Sequence, residues 1–416
     1  MKSESGHNER YKWILLGFIF VTYFLTQGTR QLYNAALPRI QADFAALGVT
    51  DTQLGSVGSV FAAVFGLSLV GSGLASDFFG RKRVLVIGVL LFSIGVCVSG
   101  FATGIGLMII AYGVFNAIGQ CCIAPSAYSL ISQYHVRTRS VAMAVFQAAV
   151  YLGVVLASVF AGQLSAMGPG GWRRAFWLAG AAGVIWAAAM AIGIADDRKE
   201  PGMAERPSMR EAWAALIQKP TAMLIALAFA MFIYANLGIR LWTAMFMVRN
   251  FAGVGVAQAA LHSVLWLNLG ALISSLAVAR VIDRIAVRRV RVKLEVSVVG
   301  LLMCIAPIII VATSASLRSC CAALFALGLT IGVYEAAHYP AMFDCIAPRY
   351  RSTITGLTGA FAFVFGAMAP MVLGWMSETF SLRVALASLG GFYLAGAVIL
   401  LPAVRWYFAR DYIAQA

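Results

Sequence analysis

Arg30, Arg240, Glu335 and His338 are ionisable residues set inside long apolar runs of this 416-residue chain. A charge at the centre of a bilayer costs about 2.5–3.5 kcal/mol on insertion scales, so such residues are kept for a purpose. Arg30 is followed nine residues later by Arg39, and Arg240 nine residues later by Arg249. Nine residues of helix rise about 14 Å, close to half of a hydrocarbon core of about 30 Å. If Arg39 and Arg249 mark a membrane boundary, Arg30 and Arg240 are predicted at mid-depth. The planar guanidinium fork binds carboxylate or phosphate oxygens in pairs, so two such groups, one per half of the chain, would make an anion site. Helical spacing adds polar neighbours: Gln27, Arg30 and Asn34 on one face, Asn236, Arg240 and Thr243 on another. Tyr33 would close over a ligand or simply pack. Asn116 and Gln120 would line the site or hydrogen-bond between helices. The plainer alternative is that each arginine is neutralised by an internal acid and only holds helices together.

Glu335 and His338 lie three residues apart, on one face of a helix, and Glu335 is nine residues from Asp344, again near mid-depth. Burial favours a neutral carboxyl and a nearby guanidinium favours a charged one. Anion binding and proton uptake at Glu335 would then be linked, which is anion–proton symport. The alternatives are a static ion pair of Glu335 with Arg30 or Arg240, and a hydrogen-bonded core histidine at His338. His262, Trp266 and Asn268 would approach the same site or pack in the core.

The elements that must position these residues are hydrophobic helices. The chain is 61% hydrophobic and 11% charged, against about 25% charged residues in soluble domains. Apolar runs fall near 13–37, 53–75, 84–103, 105–131, 140–165, 172–194, 221–247, 256–280, 291–313, 319–343, 353–377 and 383–408. Each is long enough for the roughly 20 residues of a spanning helix. The first shows no small-residue cleavage site and reads as an anchor. A net charge of +15 raises the question of nucleic acid, which the placement of the charge answers. With the N-terminus inside, 23 of the 31 basic residues fall in the segments expected in the cytoplasm and six in the outer ones, which is the positive-inside pattern. No aromatic-interleaved basic patch argues for nucleic acid. Cys97, Cys121, Cys122, Cys304, Cys320, Cys321 and Cys345 lie in or beside the runs without metal-type spacing and read as small packing residues.

The polar stretch 196–220 splits the chain into bundles at 1–195 and 221–416, and the halves repeat. Besides the arginine pairs, Asp77 followed by FFGRKRV matches Asp283 followed by RIAVRRV. Pro125 with Arg139-Ser140 matches Pro340 with Arg351-Ser352. Three matches in order at an offset of 206 to 215 residues argue for duplicated six-helix halves.

The segment Gly73-Leu74-Ala75-Ser76-Asp77-Phe78-Phe79-Gly80-Arg81-Lys82-Arg83 resembles the signature loop of the major facilitator superfamily. The resemblance implies an all-α integral membrane protein with twelve transmembrane helices in two pseudo-symmetric six-helix bundles. It also implies a gating latch in which Gly73, Asp77, Gly80, Arg81, Lys82 and the repeat's Asp283 tie helix ends together. Arg30-Gln31-Leu32-Tyr33-Asn34-Ala35-Ala36-Leu37-Pro38 resembles the anion:cation symporters and organophosphate antiporters, which place an arginine eight residues before a proline. Asn236-Leu237-Gly238-Ile239-Arg240-Leu241-Trp242 is similar to the organophosphate group. Two departures point away from a glycerol-phosphate or hexose-phosphate substrate: the family arginine falls on Asn236, with Arg240 one turn on, and Val150 replaces a histidine. The symporters' acids fall on Thr29 and Gln120. Counting back five residues from the proline gives Gln120 in the fourth run and Glu335 in the tenth, as though the acid had moved to its twin.

These readings combine into a secondary transporter, with no enzymatic activity, cofactor or metal, that moves a small organic anion with protons. Arg30, Arg240, Tyr33, Asn34, Asn236 and Gln120 are the expected substrate-binding residues, and Glu335 and His338 the expected proton-coupling ones. The chain is expected as a monomer in a bacterial inner membrane, in contact with lipid and not nucleic acid, with both termini in the cytoplasm. An organophosphate or other anion exchanger and a transporter-like sensor are alternatives. So is a drug efflux antiporter, although the fifth run lacks Gly-Pro-x-x-Gly-Gly and two arginines suit cationic drugs poorly.

Overall fold

In a bilayer, backbone N–H and C=O groups on a long apolar run are satisfied within the segment itself only as a helix. The computed structural model of the chain describes residues 2–135, 138–194, 209–286, 288–347 and 350–413, helical with no strand among them. Twelve long helices carry the fold. They are α1 (Lys2–Phe44), α2 (Asp51–Phe79), α3 (Arg81–Ser99), α4 (105–134), α5 (Arg139–Ala166) and α6 (Gly171–Gly193). There follow α7 (Pro220–Asn250), α8 (Val256–Ala286), α9 (Val292–Thr313), α10 (Leu317–Phe343), α11 (351–379) and α12 (Leu382–Asp411). Of the stretch between the bundles, residues 196–208 lie outside those described, and Met209–Ile217 forms a short helix ahead of α7.

Eleven of the twelve are long and apolar enough to cross a membrane. The other is α1, amply long at 43 residues. Its apolar stretch is diluted by Gln31 and by Gln27, Arg30 and Asn34, the polar face singled out above.

By their internal contacts the helices form two compact units. The first holds Met1–Val49, Val60–Pro201 and Gly255–Leu261, and the second Thr50–Ser59, Gly202–Val254 and His262–Ala416. In the first, α1 packs on α5, and α3 on α4 and α6; in the second, α7 packs on α11, and α9 on α10 and α12. The same pairings therefore recur six helices later, which is how a duplicated bundle is built. Close approach comes from small residues: a Cβ on Gly119 of α4 would run into the Phe92 amide and the Gly88 carbonyl of α3. Without water to drive helices together, such backbone proximity is what packs them.

The first part of α4 is irregular. Ile105–Met108 leads into a π-helical stretch, Ile109–Asn116, before α-helix resumes at Ala117–Cys121 and Ile123–Tyr134. Wider π turns shift the side-chain register, here immediately before Asn116 and Gln120.

Acidic side chains bind the helix ends. The Asp43 carboxylate lies 3.0 Å from Arg39 and accepts the Gly170 N–H and the Trp172 indole N–H, both at 2.8 Å. Asp51, at the start of α2, is gripped by both terminal nitrogens of Arg249 at 2.6 Å and accepts the Ser377 hydroxyl at 2.7 Å. At the other ends, Asp411 accepts the Thr221 N–H of α7 at 2.8 Å, and Lys293 pairs with Asp344 at 2.8 Å.

Gly80 breaks α2 from α3 at φ 88° and ψ 141°, a conformation that side chains other than glycine's hydrogen rarely adopt. Gly80→Ala is expected to cost about 1–3 kcal/mol of stability, read as a lowered unfolding temperature of the purified protein. An unchanged temperature would show that the turn relaxes freely.

Candidate substrate site

In the first unit the site is built around Arg30, half-buried on α1. Its Nε donates to Gln120 Oε1 at 3.0 Å. The amide can accept there because its own NH2 is committed elsewhere: Gln120 Nε2 donates to Asn116 Oδ1 at 2.8 Å and to Thr29 Oγ1 at 3.3 Å. The π-helical stretch adds Tyr112, whose hydroxyl donates to the Arg30 carbonyl at 2.7 Å. One face of the guanidinium lies over aromatic rings, 4.5 Å from the Phe65 centroid and 5.5 Å from that of Phe61, a favourable seat for a cation. Tyr33 is fully buried and packs beside Tyr112, with ring centroids 5.3 Å apart. Asn34 turns to its own helix, Nδ2 donating to Gln31 Oε1 at 3.2 Å.

In the second unit Arg240, also half-buried, is held in a similar manner. Its Nε donates to Asn236 Oδ1 at 2.7 Å, and Nη1 to Asn268 Oδ1 of α8 at 3.4 Å. Asn268 is oriented in turn by its own donation to the Val264 carbonyl at 2.7 Å. Among the described residues no carboxylate lies within ion-pair distance of Arg240. The contrast with Arg39 and Arg249 is sharp: the boundary arginines are matched by Asp43 and Asp51, whereas Arg240 keeps its full charge against neutral amide oxygens.

Glu335 of α10 is exposed on its helix. Among the described residues it forms no ion pair. His338 has a different setting, 4% exposed and flanked by Phe229, Tyr334 and Tyr339 at centroid distances of 4.8, 4.9 and 4.1 Å. Neither ring nitrogen makes a hydrogen bond, although the Tyr334 and Glu335 carbonyls lie nearby. The shared helical face therefore does not join Glu335 to His338 by a direct bond. On α8, the Trp266 indole N–H donates to His262 Nδ1 at 3.1 Å.

These features have a family setting. A family model described as the Major Facilitator Superfamily matches residues 19–314. The chain belongs to this superfamily. Among curated relatives, an MFS-type efflux pump of Mycolicibacterium smegmatis is 26% identical, covering 99% of this chain and 96% of its own. A probable sulfoacetate transporter of Cupriavidus necator is 25% identical over 88% of this chain and 87% of its own. Among solved structures, a bacterial homologue of the human lysosomal transporter Spinster, inward-facing and unoccupied, superposes with a TM-score of 0.84 at 20% identity. It covers 98% of this chain and 99% of that one, a likeness that speaks for the fold. The chain is thus a multi-pass membrane transporter of the major facilitator fold.

Of the superfamily's signature loop, Gly80 and the start of α3 at Arg81 and Lys82 are described. The side chains of Asp77 and Asp283, and the surroundings of Gly73, lie outside the described residues. Phe61 and Phe65 carry no polar or spacing signal that would have singled them out, nor was Tyr112 singled out, whereas Asn268, expected near the site or in the core, is bonded to Arg240.

Gln120 is the hub of the α1–α4 network, so Gln120→Leu removes three hydrogen bonds at once. The expected loss is about 1–3 kcal/mol, visible as a lower unfolding temperature, with Asn116→Ala falling between the variant and wild type. Equal stability of Gln120→Leu and wild type would mean that the network is replaced by water.

Proposed function

We propose that this superfamily member moves a small organic anion, a carboxylate in the first instance, and that proton uptake at Glu335 accompanies it. The observation that carries the reading is Arg240, a half-buried positive charge oriented by amide oxygens with no carboxylate in pairing distance among the described residues. A cation so placed is complete only with an anion beside it. Arg30, held by Gln120, is the equivalent group of the other half, and Asn236 and Gln120 orient the two guanidinium groups. Tyr33 and Asn34 complete the proposed binding set, Tyr33 by packing Tyr112 against α1. Glu335 is the proposed protonation site, and His338 a second group on its route. The latch formed by Gly73, Asp77, Gly80, Arg81, Lys82 and Asp283 gates the cycle.

Further support comes from a relative named for sulfoacetate, itself an organic anion. On this reading the bundles 1–195 and 221–416 work by alternating access as a monomer. The protein resides in a bacterial inner membrane with both termini in the cytoplasm, as the placement of Lys and Arg suggests. A second reading, export, is favoured by the efflux pump that matches along almost the whole chain.

Screening carboxylates, sulfonates and phosphate esters for thermal stabilisation of the purified protein tests the site. At least one anion is expected to raise the unfolding temperature, and Arg30→Gln and Arg240→Gln are each expected to abolish that rise. Full retention in both variants would remove the arginines from the site. Coupling is tested in liposomes: Glu335→Gln should abolish uptake driven by a pH gradient while anion exchange continues. Gradient-driven uptake at the wild-type rate would place the proton elsewhere. Loading the anion inside or outside the vesicles distinguishes import from export.

A further inference from the structure

Where α9 begins and α12 ends, a cleft of about 340 Å3 is lined by Arg289, Val290, Arg291, Phe408, Ala409 and Tyr412. That volume lies at the lower end of the roughly 300–1,000 Å3 common for small-molecule sites. Two guanidinium groups stand at its rim on residues that are both exposed, and Phe408, 2% exposed, forms its apolar floor. Arg289 is paired with Glu295 at 2.7 Å, but its side chain remains 66% exposed. An exposed ion pair of this kind contributes about 0–1 kcal/mol and leaves the other donors of the fork available. Arg291 has no acidic partner among the described residues. Asp411, next in sequence to the lining residues, is 2% exposed and already accepts the Thr221 N–H and faces Arg410 Nε at 3.4 Å.

Charge alone would suit any phosphate, and the surroundings narrow the choice. Below the cleft the outward face of α12 is apolar and exposed, with Val398 at 53%, Leu401 at 52% and Trp406 at 65%. In a spanning helix that is the surface acyl chains cover. Trp406, Tyr407 and Tyr412 near the end of α12 are of the kind that gathers at a membrane–water boundary. An occupant bridging both zones carries a phosphate at one end and hydrocarbon at the other.

The geometry points to a binding site for one anionic phospholipid, its headgroup phosphate between Arg289 and Arg291 and an acyl chain along α12. The site is separate from the transported anion, so the two assignments stand or fall independently. A lipid seated there pins the start of α9 to the end of α12, the two helices that pack together in the second unit.

Native mass spectrometry and thermal unfolding of the full chain in detergent, titrated with phosphatidylglycerol, phosphatidylcholine or free glycerol phosphate, provide the test. Phosphatidylglycerol is expected to remain bound and to raise the unfolding temperature, with neither effect from phosphatidylcholine or glycerol phosphate. Replacing two basic residues near an anionic headgroup should weaken retention about thirtyfold, so Arg289→Gln with Arg291→Gln is expected to do so. Arg83→Gln with Arg210→Gln, which removes the same charge from exposed positions elsewhere, is expected to bind as wild type does. Equal retention by the cleft variant, or equal stabilisation by phosphatidylcholine, would overturn the assignment. Stabilisation by glycerol phosphate alone would overturn the lipid and leave a soluble phosphate as occupant.

Discussion

A guanidinium far inside an apolar bundle must be surrounded by oxygen, and the kind of oxygen decides what the bundle can do. A carboxylate neutralises the charge and leaves a static strut, as at Arg39 with Asp43 and Arg249 with Asp51. An amide satisfies the hydrogen-bonding geometry and leaves the charge in place, as at Arg240 with Asn236 and Asn268. Both solutions occur on α7, nine residues apart: a neutralised pair near the end of the helix and an oriented, charge-bearing arginine further in. Desolvating a lone cation is costly, so the second arrangement persists only where water or an anion can reach it.

Holding an amide in the right orientation places demands on the surrounding helices. An amide turned the wrong way offers N–H to a cation, so each must be fixed by a second bond. Gln120 is fixed by donating to Asn116 and Thr29, and Asn268 by donating to the Val264 carbonyl. The bond from Gln120 to Thr29 depends on α1 and α4 approaching closely and on register, which the π-helical stretch of α4 adjusts. Scaffold and site are therefore not separable in this unit: the irregular helix that looks like a flaw supplies Tyr112, Asn116 and Gln120 together.

What the sequence made legible follows from the range over which each interaction acts. Helix number rests on periods and spacings within one strand of chain, and the long helices agree with it; the mid-depth arginines and the division into bundles at 1–195 and 221–416 rest on the same kind of spacing and belong to the proposal. Gln120 was reached through its spacing from Pro125, which is local as well. The bond between Arg30 and Gln120 spans 90 residues, and that between Arg240 and Asn268 spans 28; neither pairing is encoded in a local period. The same limit applies to Glu335 and His338. Three residues apart on a helix is a difference of only about 60° in direction, yet that is enough to leave one exposed and the other buried among aromatic rings. The polar face of α1 had a double effect, marking the site while diluting the hydropathy by which a spanning helix is recognised.

The same physics bears on how one scaffold can have both an efflux pump and a sulfoacetate transporter among its relatives. The sign of the cargo's charge follows from groups that cannot lose theirs, and arginine stays protonated at any physiological pH. Direction depends on which side supplies the proton and which side holds the anion, quantities that belong to the membrane and not to the binding groups. On the proposed reading, a site built on Arg240 and its amides constrains what is carried far more tightly than which way it goes. On the same proposed reading, turning such a carrier from import to export would need no change at the arginines.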